Sequence, residues 1–259
     1  MADILLESRE QEIVTLTINR PEKLNALTKP LWQMLGDAFE RLSKDTSVRC
    51  VVLRGAGEKA FSPGNDISEF QTERSNKAQA IDYGRIMHRT VNLIANCPHP
   101  TVAQIHGICV GGGMEIASLA DVRICGQSSR FGAPINRLGL VMAYGEMGPL
   151  VHLLGRSKAV EILLEGRIFD ATEALQIGLV SRVVADEAVA KESIETAKRI
   201  AEGAPLVARW HKKFGKRLMR PEAISEQEND ECFDCFDTED FQIGYKAFLA
   251  KQKPIFIGK

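Results

Sequence analysis

Three consecutive glycines, Gly111-Gly112-Gly113, separate the apolar run Thr101 to Ile105 from the Ala-rich segment Met114 to Ala120. Such a cluster is poor in the interior of a helix or strand, because glycine loses the most backbone entropy on ordering. It suits a strand-to-helix turn whose backbone N–H groups must approach a ligand with no Cβ in the way. The helix expected from Met114 to Ala120 adds unpaired first-turn N–H groups and the positive end of its dipole. That combination favours stabilisation of a developing negative oxygen, with Glu115 one turn inside as an acid or base. A plain strand-to-helix turn packed against the rest of the chain is the structural alternative.

The flanking sequence supplies a matching architecture. Gln11 to Asn19 alternates as a strand, and Pro21 in Asn19 to Leu27 ends it. Thr28 is placed to cap a helix over Lys29 to Leu42, with Pro30 early in it. Val48 to Leu53 reads as a strand buried on both faces. The loop Gly55 to Ile67, rich in Gly and Pro, is a second place where backbone can face a ligand. A long helix ends near Asn96, stopped by Cys97-Pro98-His99-Pro100. Asp121 to Cys125 is a further strand. Alternation of strands with helices predicts α/β architecture with right-handed crossovers. From Glu146 onward the periodicity is helical, with segments ending at Gly155, Gly166 and Gly178, a short strand from Leu179 to Val184, and helices from Glu187. No internal repeat of the strand-helix unit is evident. The shift to nearly all-α sequence places a boundary near residue 200, giving a core of 1–200 and a helical region of 201–259.

Composition excludes several classes. The 259 residues carry a formal net charge of −1, which argues against nucleic acid or a membrane surface as partner. No apolar run approaches the ~18–20 residues of a membrane span, and the N-terminus lacks a signal layout. Of the six cysteines only Cys232 and Cys235 are closely spaced, and a lone CxxC is weak evidence for zinc. His88, His106, His152 and His211 have no metal-ligand spacing and read as structural or surface. The expectation is a reduced, cytoplasmic protein without a bound metal.

Six segments, in order, resemble the crotonase (enoyl-CoA hydratase/isomerase) superfamily: Asn19 to Leu27, Lys59 to Ile67, Ile105 to Glu115, Phe131 to Gly139, Gly166 to Ala174 with Gly178-Leu179-Val180, and Gly244 to Phe256. The resemblance covers nearly the full chain. It implies a spiral of ββα turns with a C-terminal helical trimerisation region, assembled as a homotrimer or a dimer of trimers. It also implies an acyl-CoA thioester as substrate, with CoA part of the substrate and no other cofactor. By the same resemblance, the enolate oxygen is held by the backbone N–H groups of Asn65 and Gly112. The adenosine end of CoA would touch Lys23, Leu24, Lys59, Pro63 and Ile67, and Lys251 would meet a phosphate. Ile135 and Tyr144 would line the acyl pocket.

The acid/base residues depart from the family pattern. Hydratases of this family carry two glutamates, one after the glycines and one after the proline of a Phe-Gly-x-Pro segment. Glu115 holds the first position, but the second holds Ile135, which cannot transfer a proton. Loss of such a group removes help worth about 10²–10⁴-fold. Glu146 is a first-turn helix carboxylate or a replacement, and Tyr144 is pocket wall or acid. Asp66, beside Asn65, reads as a local turn acceptor. The leading expectation is an enoyl-CoA hydratase/isomerase-type enzyme with one glutamate as acid/base. The alternatives are an acyl-CoA decarboxylase, a thioester hydrolase, or a non-catalytic acyl-CoA-binding oligomer.

Overall fold

A computed structural model describes residues 3–259. Strand β1 (Leu5–Glu10) pairs antiparallel with β2 (Ile13–Ile18). Helix α1 (Lys29–Lys44) starts where Thr28 accepts a hydrogen bond from the Leu31 N–H. Then come β3 (Cys50–Gly55), β4 (Ala60–Ser62), the single turn α2 (Phe70–Glu73) and the long α3 (Lys77–Ala95). β5 (Thr101–Ile105), β6 (Ile108–Val110) and α4 (Gly112–Ser118) follow, then β7 (Val122–Gly126), β8 (Arg130–Gly132) and α5 (Tyr144–Glu165). The chain ends through β9 (Phe169–Asp170), α6 (Ala171–Gln176), β10 (Arg182–Val184), α7 (Val189–Ala201), α8 (Pro205–Arg217), α9 (Glu226–Glu231) and α10 (Glu239–Leu249).

Two sheets result. The larger has the order β1-β2-β3-β5-β7-β10 and is parallel except for β1. The smaller has the order β4-β6-β8-β9. Successive strand pairs β3/β4, β5/β6 and β7/β8 each step from the first sheet to the second, and helices follow each pair. These are stacked ββα turns, so the repeat invisible in the sequence is present in the topology. The second strand of each turn is only three residues long. That is too short to carry a period.

The continuous apolar run of β3 serves both faces of the larger sheet. Val51 and Leu53 join a core with Trp32, Phe39, Phe61, Tyr83 and Phe131. Cys50 and Val52 pack on the other face with Val102, Ile124 and the α7 residues Ala197 and Ala201. β1 escaped sequence reading because five of its six residues are exposed, as an edge strand allows. α5 breaks at Gly155 (φ 75°, ψ 155°), where the sequence placed a segment end. The strand expected over Leu179 to Val184 shortens to Arg182–Val184, because Leu179 and Val180 are buried in the turn before it. The tail returns to the core through buried Asp240, whose carboxylate accepts from the N–H groups of Ile257 (2.7 Å) and Gly258 (3.0 Å).

Candidate active site

The two glycine-rich loops meet. The Gly113 Cα leaves no room for a side chain: a Cβ there would lie 2.2 Å from the Ser62 carbonyl oxygen, so the start of α4 is seated directly on β4. Gly64 (φ +94°) lies against the same turn, and a Cβ on it would fall 2.7 Å from the Gly112 nitrogen. Gly113 must be glycine for α4 to sit on β4, and Gly64 must be glycine for the Gly112 N–H to stay uncovered.

Asn65 is oriented by its neighbours along the chain. The Gly64 carbonyl accepts from the Leu27 N–H (2.8 Å), and the Asp66 N–H donates to the Leu27 carbonyl (2.8 Å). In a parallel pairing, the N–H of the residue between these two points to the opposite side. The Asn65 N–H has no partner among the described residues, and neither has the first-turn N–H of Gly112. Trp32 Nε1–H donates to Asn65 Oδ1 at 2.7 Å, which fixes the side chain. Asp66 is held by Ser68 and by an ion pair with Arg20 at 3.0 Å, so its carboxyl lies below the usual range and it serves the loop. This matches its reading as a local turn acceptor.

Asn65, Gly111, Gly112, Glu115, Ile135, Leu140, Val141, Met142, Glu146 and Arg74 enclose a cavity of about 50 Å³. That is room for a few water-sized groups, the scale of an acyl head and not of a whole CoA ester. Glu115 is 3% exposed, and its Oε1 has no hydrogen-bond partner. Burial raises its pKa well above the ordinary range, the negative charge of Glu146 raises it further, and Arg74 opposes both. Burial of this kind favours the protonated carboxyl, the form that can donate a proton.

Glu146 is placed where either of the readings the sequence left open could hold. Its Oε2 accepts from the Ala143 N–H at 3.3 Å, as a first-turn carboxylate does. Its Oε1 lies 3.1 Å from His88 Nε2, and the side chain lines the cavity opposite α4. His88, read from its spacing as structural or surface, comes from mid-α3, is partly exposed and touches the site only through Glu146. Tyr144 does not line the cavity. It occupies the first position of α5, 97% exposed, because the helix begins there and turns Glu146 inward. Ile135 contributes apolar wall.

Of the residues expected to meet CoA, Lys23, Leu24, Lys59, Pro63 and Ile67 lie on two neighbouring loops. Lys23 ends a 3₁₀ turn and Leu24 caps it, with Leu24 (φ 53°) and Asn25 (φ 65°) in left-handed conformation. Buried Asn25 holds that turn by donating to the carbonyls of Ala56 (3.0 Å) and Ala60 (2.7 Å). Lys59 is exposed, Pro63 half-buried and Ile67 52% exposed. The Leu27–Asn65 bridge joins the two loops that carry these residues. Lys251 is exposed beyond α10, and no hydrogen bond among the described residues links it to either loop. A larger groove of about 500 Å³ between the β1–β2 turn, Arg49 and Lys253 to Phe256 contains none of the expected residues. Among the described residues no group of three or more His, Cys, Asp or Glu side chains gathers as a metal-ligand set, and no helix is long and apolar enough to cross a membrane.

Sequence reasoning missed Arg74 and Trp32. Arg74 follows α2 in a polar stretch with no periodic signal, and only the fold turns it toward Glu115.

Comparison with known proteins agrees with this architecture. The family model for enoyl-CoA hydratase/isomerase matches residues 8–259. The short-chain-enoyl-CoA hydratase of Clostridium acetobutylicum is 32% identical over 253 residues, covering 97% of this chain and 96% of that one. The 1,2-epoxyphenylacetyl-CoA isomerase of Escherichia coli is 28% identical over 272 residues, covering all of both chains. A crystal structure of an enoyl-CoA hydratase/carnithine racemase from Magnetospirillum magneticum superposes with a TM-score of 0.97 at 49% identity, covering 100% of this chain and 97% of that one. Hydratases and isomerases both occur among these relatives, so the reaction has to be argued from the residues in the cavity.

Proposed function

The chain belongs to the enoyl-CoA hydratase/isomerase family, and from that premise we propose that it hydrates a 2-enoyl-CoA thioester with Glu115 and Glu146 as its two carboxylates. The observation that carries this reading is the position of Glu146. It faces Glu115 across one cavity although the family's second glutamate position is Ile135.

The roles follow from the geometry. The thioester oxygen would sit between the N–H groups of Asn65 and Gly112, which gain strength as that oxygen becomes an enolate. Each such donor is typically worth about 2.7–4 kcal/mol of barrier. Glu146, oriented by His88 and the Ala143 N–H, takes a proton from water as its oxygen bonds to C3. Glu115, whose proton is retained by burial, gives a proton to C2. The C2–C3 double bond is consumed, a C3–O bond and a C2–H bond form, and the thioester is regenerated. Leu140, Val141, Met142 and Ile135 keep other water away from the acyl chain. Lys23, Leu24, Lys59, Pro63 and Ile67 hold the CoA portion at the lip, with Lys251 at a phosphate.

The same reading extends to assembly. Residues 201–259 expose Phe233, Phe236, Phe248 and Leu249, apolar surface of the kind a homotrimer or a dimer of trimers would cover.

Incubation with a trans-2-enoyl-CoA in ¹⁸O-water tests the reaction. Hydration predicts one ¹⁸O at C3 and loss of conjugated-thioester absorbance. A shift of the double bond without oxygen uptake would instead assign isomerisation, for which Glu115 alone can move the proton. Absence of any turnover would leave a binding role.

A further inference from the structure

Resting on the acyl-CoA reading above, we infer that Arg74 selects acyl-CoA esters that carry a second carboxylate on the acyl chain. Arg74 lines the cavity beside Glu115, Asn65 and Gly112, and its Nη1 is buried with no hydrogen-bond partner. No carboxylate oxygen comes within 4.0 Å of the guanidinium among the described residues. Aliphatic enoyl chains need no cation at their pocket, and a guanidinium left without an anion in a half-buried site is unfavourable. The arrangement makes sense if the substrate brings the anion.

The position is built. The Arg74 guanidinium carbon lies 4.8 Å from the ring centroids of both Phe70 and Tyr83. Two aromatic faces hold the group and leave its N–H edges for bidentate pairing with a carboxylate. The loop beneath it is pinned. Glu69 accepts from the Lys29 N–H (3.0 Å) and from Tyr83 Oη (2.9 Å), and Lys29 pairs with Glu73 at 2.7 Å. Asn76 caps α3 two residues later by accepting from the Gln79 N–H. The other ionisable groups on the cavity wall are Glu115 and Glu146. Glu146 is already engaged by His88, so Arg74 is the wall's one cation without a protein anion. The proposal sets the chemistry of the acyl group only. Glu115, Glu146 and the two backbone N–H groups retain the roles given above.

The test is a selectivity ratio. Turnover of glutaconyl-CoA, a five-carbon 2-enoyl ester ending in a carboxylate, is compared with that of trans-2-pentenoyl-CoA in wild type, Arg74→Gln and Arg74→Lys. Wild type should favour the carboxylated ester in kcat/KM by on the order of 10–100-fold, the range of charge-assisted pairing. Arg74→Gln should bring the ratio toward one, and Arg74→Lys should keep part of it. An equal loss on both esters, or an unchanged ratio in Arg74→Gln, would overturn the proposal. Calorimetric binding of the saturated esters succinyl-CoA and butyryl-CoA separates this from the hydration reading. Preference for succinyl-CoA that disappears in Arg74→Gln supports Arg74 even if no ester turns over. Equal affinity for the two in wild type refutes it even if hydration is observed.

Discussion

A methyl group at residue 64 tests the backbone site without touching any ionisable side chain. In Gly64→Ala, the added Cβ would stand 2.7 Å from the Gly112 nitrogen and 3.2 Å from the Val110 carbonyl oxygen. The first distance is shorter than any ordinary contact and involves backbone on both sides. The loop must therefore move by several tenths of an ångström, or the methyl must cover the Gly112 N–H. Either result removes one donor from the thioester oxygen, and kcat should fall by about 10²–10³, equivalent to about 2.7–4 kcal/mol. The substitution also forces alanine into φ +94°, which costs on the order of 1–3 kcal/mol of stability. Gly178→Ala controls for that cost: Gly178 has φ +79° with nothing within 4 Å of its Cβ position, in the turn after α6. Gly64→Ala should lose at least as much stability as Gly178→Ala in urea unfolding, because only it adds a clash, and only Gly64→Ala should lose kcat. If folded Gly64→Ala kept kcat within a few-fold of wild type, the Gly112 N–H would not be an oxyanion donor.

Other perturbations separate positioning from chemistry. Trp32→Phe keeps an aromatic ring but deletes the 2.7 Å hydrogen bond to Asn65; kcat should fall by up to about 10²-fold with KM little changed, and stopped-time assays would detect an unchanged kcat as readily. Asp66 has its carboxyl depressed by Ser68 and then by Arg20, so its stabilisation is present above the ordinary Asp range and is lost as pH falls through the depressed value. Asp66→Asn should therefore cost about 1–3 kcal/mol at neutral pH, and urea titrations should show the deficit shrinking in acid. Glu115 has the opposite sign. Its raised pKa means that the folded chain keeps a proton the unfolded chain has released, so its contribution is full below the ordinary Glu range and is lost as pH rises through the folded value. Glu115→Gln should match wild-type stability below the ordinary Glu range and exceed it increasingly as pH rises above that range; a difference constant with pH would show that the carboxyl is not desolvated.

Much of this site was legible in the sequence because its first half is local. Gly111 to Glu115 and Gly55 to Ile67 announce close backbone approach through their own composition. The absence of a carboxylate at Ile135 could be read directly, whereas its remedy could not. Glu146 enters the cavity because α5 begins at Tyr144 and not two residues later, a matter of one turn that helical periodicity does not resolve. Arg74 comes from the irregular residues before α3 and His88 from α3 itself, and only the fold brings the first to the cavity wall and the second against Glu146. The fold was legible to a similar depth. β3 and β5 declare themselves by burial on both faces, while the three-residue strands β4, β6 and β8 that complete each spiral turn do not.

The pairing of Glu115 with Glu146 is the central claim, and a double-mutant cycle on 2-enoyl-CoA hydration tests it most directly. Glu115→Gln and Glu146→Gln should each lower kcat by about 10²–10⁴-fold. The double variant should be little worse than the weaker single variant, because the two groups serve one step. Wild-type kcat in Glu146→Gln, with Glu115→Gln inactive, would contradict the account and leave Glu115 as the site's one working carboxylate.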